Sequence, residues 1–185
     1  MEQNFEEFDE MNLICEKLGL PFKFDAIILK SKNFSNDQSN NILNKNYFNF
    51  MEKIKEKNLQ MWKTYPKSYE ERNVNDYIYK CYAGKSSAFI SSAGGVRICN
   101  FAEFSEQDLT KVSFKEAWNS FEKYLYIKED KNCKCYNCKY KVCCSNCPVT
   151  TYMNFKTKGD IVLPVEQNCR EAKFIYESIS TDNIK

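Results

Sequence analysis

Residues 133–148 read CKCYNCKYKVCCSNCP, with six cysteines in the fifteen residues from Cys133 to Cys147. Thiols at this density serve as disulfides, as zinc ligands or as iron–sulfur ligands. Which of these applies decides the fold. A domain built on metal–thiolate bonds can dispense with much of the apolar core that a domain of the same size would otherwise need.

Working outward from this stretch, composition narrows the choice. The chain has 185 residues and ten cysteines, nine of them between Cys81 and Cys169. It has no histidine, which excludes imidazole as base or ligand and removes Cys₂His₂ zinc sites. The first ten residues, MEQNFEEFDE, are acidic and fit neither a signal nor a transit peptide. A cytoplasmic location is therefore expected, with thiols kept reduced and available to metal. With 27 basic and 25 acidic residues the net charge is +2, so nucleic acid is not expected as a partner. No apolar run approaches the ~20 residues of a membrane helix, so no membrane partner is expected either.

The rest of the chain supplies the frame. Phe8, Met11, Cys15 and Leu18 recur at helical spacing and predict a helix over 3–19, stopped by Gly19 and Pro21. FKFDAIILK, 22–30, predicts a strand buried on both faces. A polar loop follows over 31–40, then a second helix over 41–62 with Leu43, Tyr47, Phe50, Met51 and Ile54 as its stripe. Residues 63–80, with Pro66, read as irregular and hold a boundary near 75. SSAFIS, SAGG and VRICN predict a hairpin in which Gly94 and Gly95 supply positive φ. Ser113-x-x-Glu116 is a capping box that opens a helix over 113–126. A loop ends at Pro164, and a last helix over about 168–180 buries Ala172, Ile175, Tyr176 and Ile179. Gly84-Lys85-Ser86 lacks the earlier glycine of a phosphate loop, since Tyr79 stands there.

The thiol spacing is Cys81-x₁₂-Gly94-x₄-Cys99, then Cys135-x₂-Cys138-x₅-Cys144-x₂-Cys147, then Cys169. An x₂ spacing lets a tight turn aim two sulfurs at one centre, and longer gaps bring ligands from other elements. This pattern resembles the SPASM domain, the C-terminal domain of radical SAM peptide-modifying enzymes. The family pattern is Cys-x₉₋₁₅-Gly-x₄-Cys, Cys-x₂-Cys-x₅-Cys-x₃-Cys and a last Cys. The chain departs from it only in the x₂ between Cys144 and Cys147. A second register, Cys138-x₄-Cys143-x₃-Cys147, leaves Cys143 as the alternative to Cys144. The first is preferred because Lys-Tyr-Lys-Val-Cys then fills the slot before the ligand. LGLPFKFDAIILK looks like the end of a radical SAM barrel, a weaker likeness.

The resemblance implies an α+β chain: 1–75 as the end of a radical SAM α/β barrel and 76–185 as a small cysteine-rich SPASM domain. It implies two auxiliary [4Fe–4S] clusters. Cys81, Cys99 and Cys147 would hold the first, whose fourth iron is open to substrate, solvent or a thiol such as Cys133. Cys135, Cys138, Cys144 and Cys169 would hold the second. The partner implied is a peptide substrate or a barrel-bearing radical SAM subunit. The family's catalytic Cys-x₃-Cys-x₂-Cys is absent, Cys15 being the only thiol before Cys81. This chain alone is thus expected neither to bind S-adenosylmethionine nor to cleave it, and no catalytic residue is assigned.

Competing readings stand beside this one. A Cys₄ zinc site from Cys135, Cys138, Cys144 and Cys147 would make a peptide-binding module without catalysis, but leaves Cys81, Cys99 and Cys169 unexplained. A nonfunctional truncated fragment is the third. Cys15 reads as a small core residue, and Cys133 and Cys143 read as spare thiols. Lys134, Lys139 and Lys141 either offset cluster charge or face solvent. Tyr136, Tyr140 and Tyr152 read as local packing.

Overall fold

The structure is a computed structural model that describes residues 7–22, 45–72 and 76–182. The strand expected over 22–30 lies, beyond Phe22, outside the described residues, as do the loop over 31–40 and the boundary at 75. The chain divides into two compact units, Met1–Asn58 and Leu59–Lys185.

In the first unit, helix α1 spans Phe8–Lys17, and Gly19 at φ +65° ends it. Its expected stripe is only partly used: Phe8 is buried, Met11 and Cys15 are half-buried, and Leu18 is exposed. Phe8 packs edge-on to Phe50 with ring centroids 5.1 Å apart, and Lys53 pairs with Asp9 at 2.6 Å. Phe50 and Lys53 belong to α2, Lys45–Trp62, which buries Tyr47, Met51 and Ile54 at the expected helical spacing.

The second unit opens with a helix that sequence reading missed. α3 spans Tyr65–Arg72 with Pro66 in its first turn, where the missing N–H costs nothing. The expectation that residues 63–80 are irregular is corrected over this helix. The hairpin forms as β1, Phe89–Ile90, antiparallel to β2, Gly95–Arg97, in the register Ile90↔Val96. Gly94 alone takes positive φ, at +81°, so the expectation for Gly95 is corrected. A Cβ at Gly95 would instead stand 2.8 Å from the Glu106 carboxyl carbon, and close approach explains that glycine. A third strand, β3 at Gln107–Asp108, pairs with β2. At two residues it is too short to leave an alternating pattern in the sequence.

The Ser113–Glu116 capping box is present with both reciprocal bonds. Its helix is shorter than expected. α4, Phe114–Asn119, ends at Ser120, whose hydroxyl donates to the Ala117 carbonyl at 2.7 Å, and α5, Glu122–Leu125, follows. Ala117, Phe121 and Leu125 join Ile78, Tyr79, Val96, Ile98, Ala102 and Val149 in one core. Val149 sits on α6, Pro148–Phe155, a helix where a loop was expected. Cys147 is its N-cap and Pro148 its first residue, a start signal hidden inside the thiol run. α7, Glu166–Asp182, buries Ala172, Ile175 and Ile179 as expected, with Tyr176 half-buried. The architecture is thus helices around a small three-stranded antiparallel sheet, a mixed α+β arrangement. No described helix is long and apolar enough to cross a membrane.

Gly159 shows how tightly the second unit closes. It takes φ +82°, its carbonyl accepts from the buried Tyr79 hydroxyl at 3.2 Å, and an added Cβ would lie 2.1 Å from Phe104. Gly159→Ala is expected to cost about 3 kcal/mol, combining overpacking with a left-handed backbone. Gly19→Ala, with open space around it, should cost only about 1 kcal/mol. Urea midpoints of the two variants measure the contrast, and equal losses would refute it.

Candidate thiolate centre

All ten cysteines are free. Seven of them, Cys81, Cys133, Cys135, Cys138, Cys144, Cys147 and Cys169, line one cavity of about 800 Å³ in the second unit. They come from four places: the approach to β1, the loop before α6, the α6 N-cap and the first turn of α7. Among the described residues, no three Cys, Asp or Glu side chains converge as tightly as a single metal ion would require.

Electrostatics sort the thiols into two neighbourhoods. Burial pushes the Cys99 thiol above its ordinary range; the Phe101 and Ala102 amides oppose this, and charge on Cys147 and Cys81 adds to it. Burial likewise raises the Tyr79 phenol, and the same three thiols, Cys147, Cys99 and Cys81, reinforce it. These three come from separate segments, yet they act on one another. The second neighbourhood holds the other four expected ligands. Burial pushes Cys135 up to about 12, with Cys133, Cys144 and Cys169 adding. It pushes Cys144 up to about 11; the Asn146 amide opposes, and Cys169 and Cys138 add. Cys169 is raised by burial and then by Cys138.

Cys133 is hydrogen-bonded to Cys135 and donates from its Sγ to the Val162 carbonyl at 3.1 Å. It therefore sits in the second neighbourhood, not beside the three thiols of the first. Cys143 lies in the short 3₁₀ turn Lys141–Cys143, buried, and burial alone raises it to about 11. Its neighbour Cys144 leaves that turn in extended conformation and lines the cavity. Cys15 belongs to the first unit.

Backbone amides point at the sulfurs. The Asn146 N–H reaches Cys144 Sγ at 3.4 Å, and the Thr150 N–H reaches Cys147 Sγ at 3.5 Å. The second bond is an N-cap in which sulfur replaces the usual oxygen. The donor set is entirely sulfur, free of disulfides and supplied with N–H···S bonds. That chemistry fits thiolate-bound clusters.

The cavity wall also carries a charge cluster that sequence reading missed. Glu129 lies between Lys80, whose Nζ is 3.2 Å from Oε1, and Lys141, bonded to Oε2. Lys141 had been grouped with solvated or charge-offsetting lysines. Glu129 and Lys141 lie 49 and 61 residues after Lys80, in no common motif, and the Tyr77–Lys128 bridge helps bring them together. The Tyr140 ring packs edge-on to Tyr176 at 5.5 Å, the packing role expected of it.

No family model, no curated protein and no solved structure matches this chain.

The raised thiols carry a pH signature. Cys144 moves from 9.0 to about 11 and Cys135 from 9.0 to about 12 on folding. The folded chain then holds protons that the unfolded chain has lost, so this stabilisation is complete below pH 9 and fades as pH rises toward 11–12. Metal-free protein should lose thermal stability over that window, and the thiolate absorbance of these two residues should appear in the folded chain only as pH nears 11–12. A melting temperature flat across the window would contradict the burial described.

Proposed function

We propose that this chain is an iron–sulfur protein of the SPASM type, acting as the C-terminal part or a subunit of a radical SAM peptide maturase. What supports the reading is that six of the seven expected ligands, Cys81, Cys135, Cys138, Cys144, Cys147 and Cys169, line one cavity, and the seventh, Cys99, packs with Cys147 against the adjoining core. The resemblance implies a division into Cys81, Cys99 and Cys147 on one side and Cys135, Cys138, Cys144 and Cys169 on the other, and the charge interactions among the thiols are compatible with it. Each group would hold one [4Fe–4S] cluster, the first with three thiols and the second with four. When bound, such clusters supply electron transfer or an iron that engages substrate. The chain's own part is to bury the sulfurs and donate amide hydrogens to them, which governs potential and access. A cytoplasmic setting, where thiols stay reduced, suits this chemistry.

Anaerobically purified protein should be brown and carry up to about eight irons and eight sulfides, two cubanes' worth. Cys144→Ala should lose about half of that iron, since it removes a ligand from a group of four. Cys143→Ala should retain it, at a cost of about 1 kcal/mol for a small buried void. Stoichiometric zinc without acid-labile sulfide would favour the zinc module instead, and iron loss confined to Cys143→Ala would favour the other register.

Given S-adenosylmethionine and a strong reductant, the chain alone should yield no 5′-deoxyadenosine. The three-cysteine loop that would bind the catalytic cluster is missing from its sequence. Turnover by the purified chain, abolished by Cys99→Ala, would make it an enzyme in its own right.

A further inference from the structure

The charge cluster on the cavity wall has no role in holding sulfur. Its side chains are largely buried: Glu129 is 13% exposed, and Lys80 and Lys141 are 18% each. All three line the cavity, as does Tyr69, which hydrogen-bonds to Lys141. One carboxylate against two ammoniums leaves one positive charge in excess. Asp76, the other carboxylate acting on Lys80, is exposed. Uncompensated charge in a poorly solvated place is unfavourable unless an anion answers it. Lys80 Nζ is also shielded from solvent. Its neighbour there is Glu129, whose Oε1 lies 3.2 Å away. An ammonium has three donors to place.

We propose that Lys80 and Lys141 form an anion subsite on the cavity wall that takes a carboxylate side chain of an acidic peptide. That the ligand is a peptide rests on the maturase reading above; that it is anionic rests on the charge cluster. A single excess charge matches a monoanion better than a dianionic phosphate. The wall beside it is aromatic, with Tyr136 under the Lys141 ammonium at 5.5 Å and Tyr140 nearby, which suits the apolar flanks of a peptide. The cavity's volume of about 800 Å³ is in the range of ligand-binding pockets.

The test uses the full chain, purified anaerobically, with iron, zinc and sulfide measured on the same sample. The probes are an acetylated, amidated heptapeptide with a central glutamate and its twin with glutamine, titrated by calorimetry. The glutamate peptide should bind about tenfold more tightly, or ~1.4 kcal/mol. The preference should shrink at about 0.5 M salt, where the Debye length is a few ångströms. Lys80→Met should abolish it and Lys80→Arg should keep it. Should Lys80→Met fail to fold by circular dichroism, acetate competing selectively with the glutamate peptide on the unsubstituted protein gives the same support. Equal affinity for the two peptides, or binding of neither, overturns the subsite. So does a preference that survives in folded Lys80→Met while the cluster potential shifts, which would make Lys80 a counter-charge for sulfur. Zinc without sulfide alongside an intact glutamate preference would sink the iron–sulfur reading and leave the subsite standing. Iron and sulfide with no preference would do the reverse.

Discussion

Asn146 ties together the three segments that enclose the thiols. Its backbone N–H donates to Cys144 Sγ, its side-chain amide donates to the Leu163 carbonyl at 2.7 Å, and its side-chain oxygen accepts from Asn168 at 3.4 Å. Leu163 is held a second time by Thr151, whose hydroxyl accepts from the Leu163 N–H at 3.0 Å and donates to its carbonyl at 3.2 Å. Thr151 and Asn168 are buried, so each of these bonds replaces water that cannot return. The loop bearing Cys144, the strap over 161–164, α6 and α7 are thereby held in mutual register. That brace is one of the contacts that keep sulfurs from four places around one cavity.

The brace matters because the apolar core lies elsewhere. Ile78, Val96, Ile98, Ala117, Phe121 and Leu125 pack together around the small sheet and α4. Cys99 and Cys147 touch the edge of that core, whereas Cys135, Cys138 and Cys169 do not belong to it. The second group of thiols is organised by polar bonds and by the 3₁₀ turn Lys141–Cys143 lodged against α3 and α7. A metal or cluster bound by these thiols would add to that order, because metal–thiolate formation and folding are linked. Burial keeps the free thiols protonated, so binding a metal must expel their protons, and occupancy becomes sensitive to pH.

One wall of the cavity thus offers sulfur and another offers a charge cluster with aromatic flanks. A soft-donor pocket next to a basic subsite can hold an inorganic group and an organic anion side by side, which a thiol-only zinc knot would not need. Lys141 joins the two, since it begins the turn that buries Cys143 and aims Cys144 at the cavity.

Local rules made several features legible from the residues alone. The Ser113–Glu116 box starts its helix because both partners lie within one turn. Most of the stripes of α2 and α7, Tyr47, Met51 and Ile54 in one and Ala172, Ile175 and Ile179 in the other, is buried at the helical period, with Phe50 and Tyr176 half-buried. Gly94 turns the hairpin because its φ is positive. The thiol spacing marked Cys81, Cys99, Cys135, Cys138, Cys144, Cys147 and Cys169 as a set. Other features were decided only in three dimensions. Two-residue strands such as β3 carry no pattern. The choice between Cys143 and Cys144 as cavity-lining residue turns on where one short 3₁₀ turn ends. The Lys80–Glu129–Lys141 cluster joins residues tens of positions apart, and charge attraction leaves no periodicity in a sequence by which to foresee it.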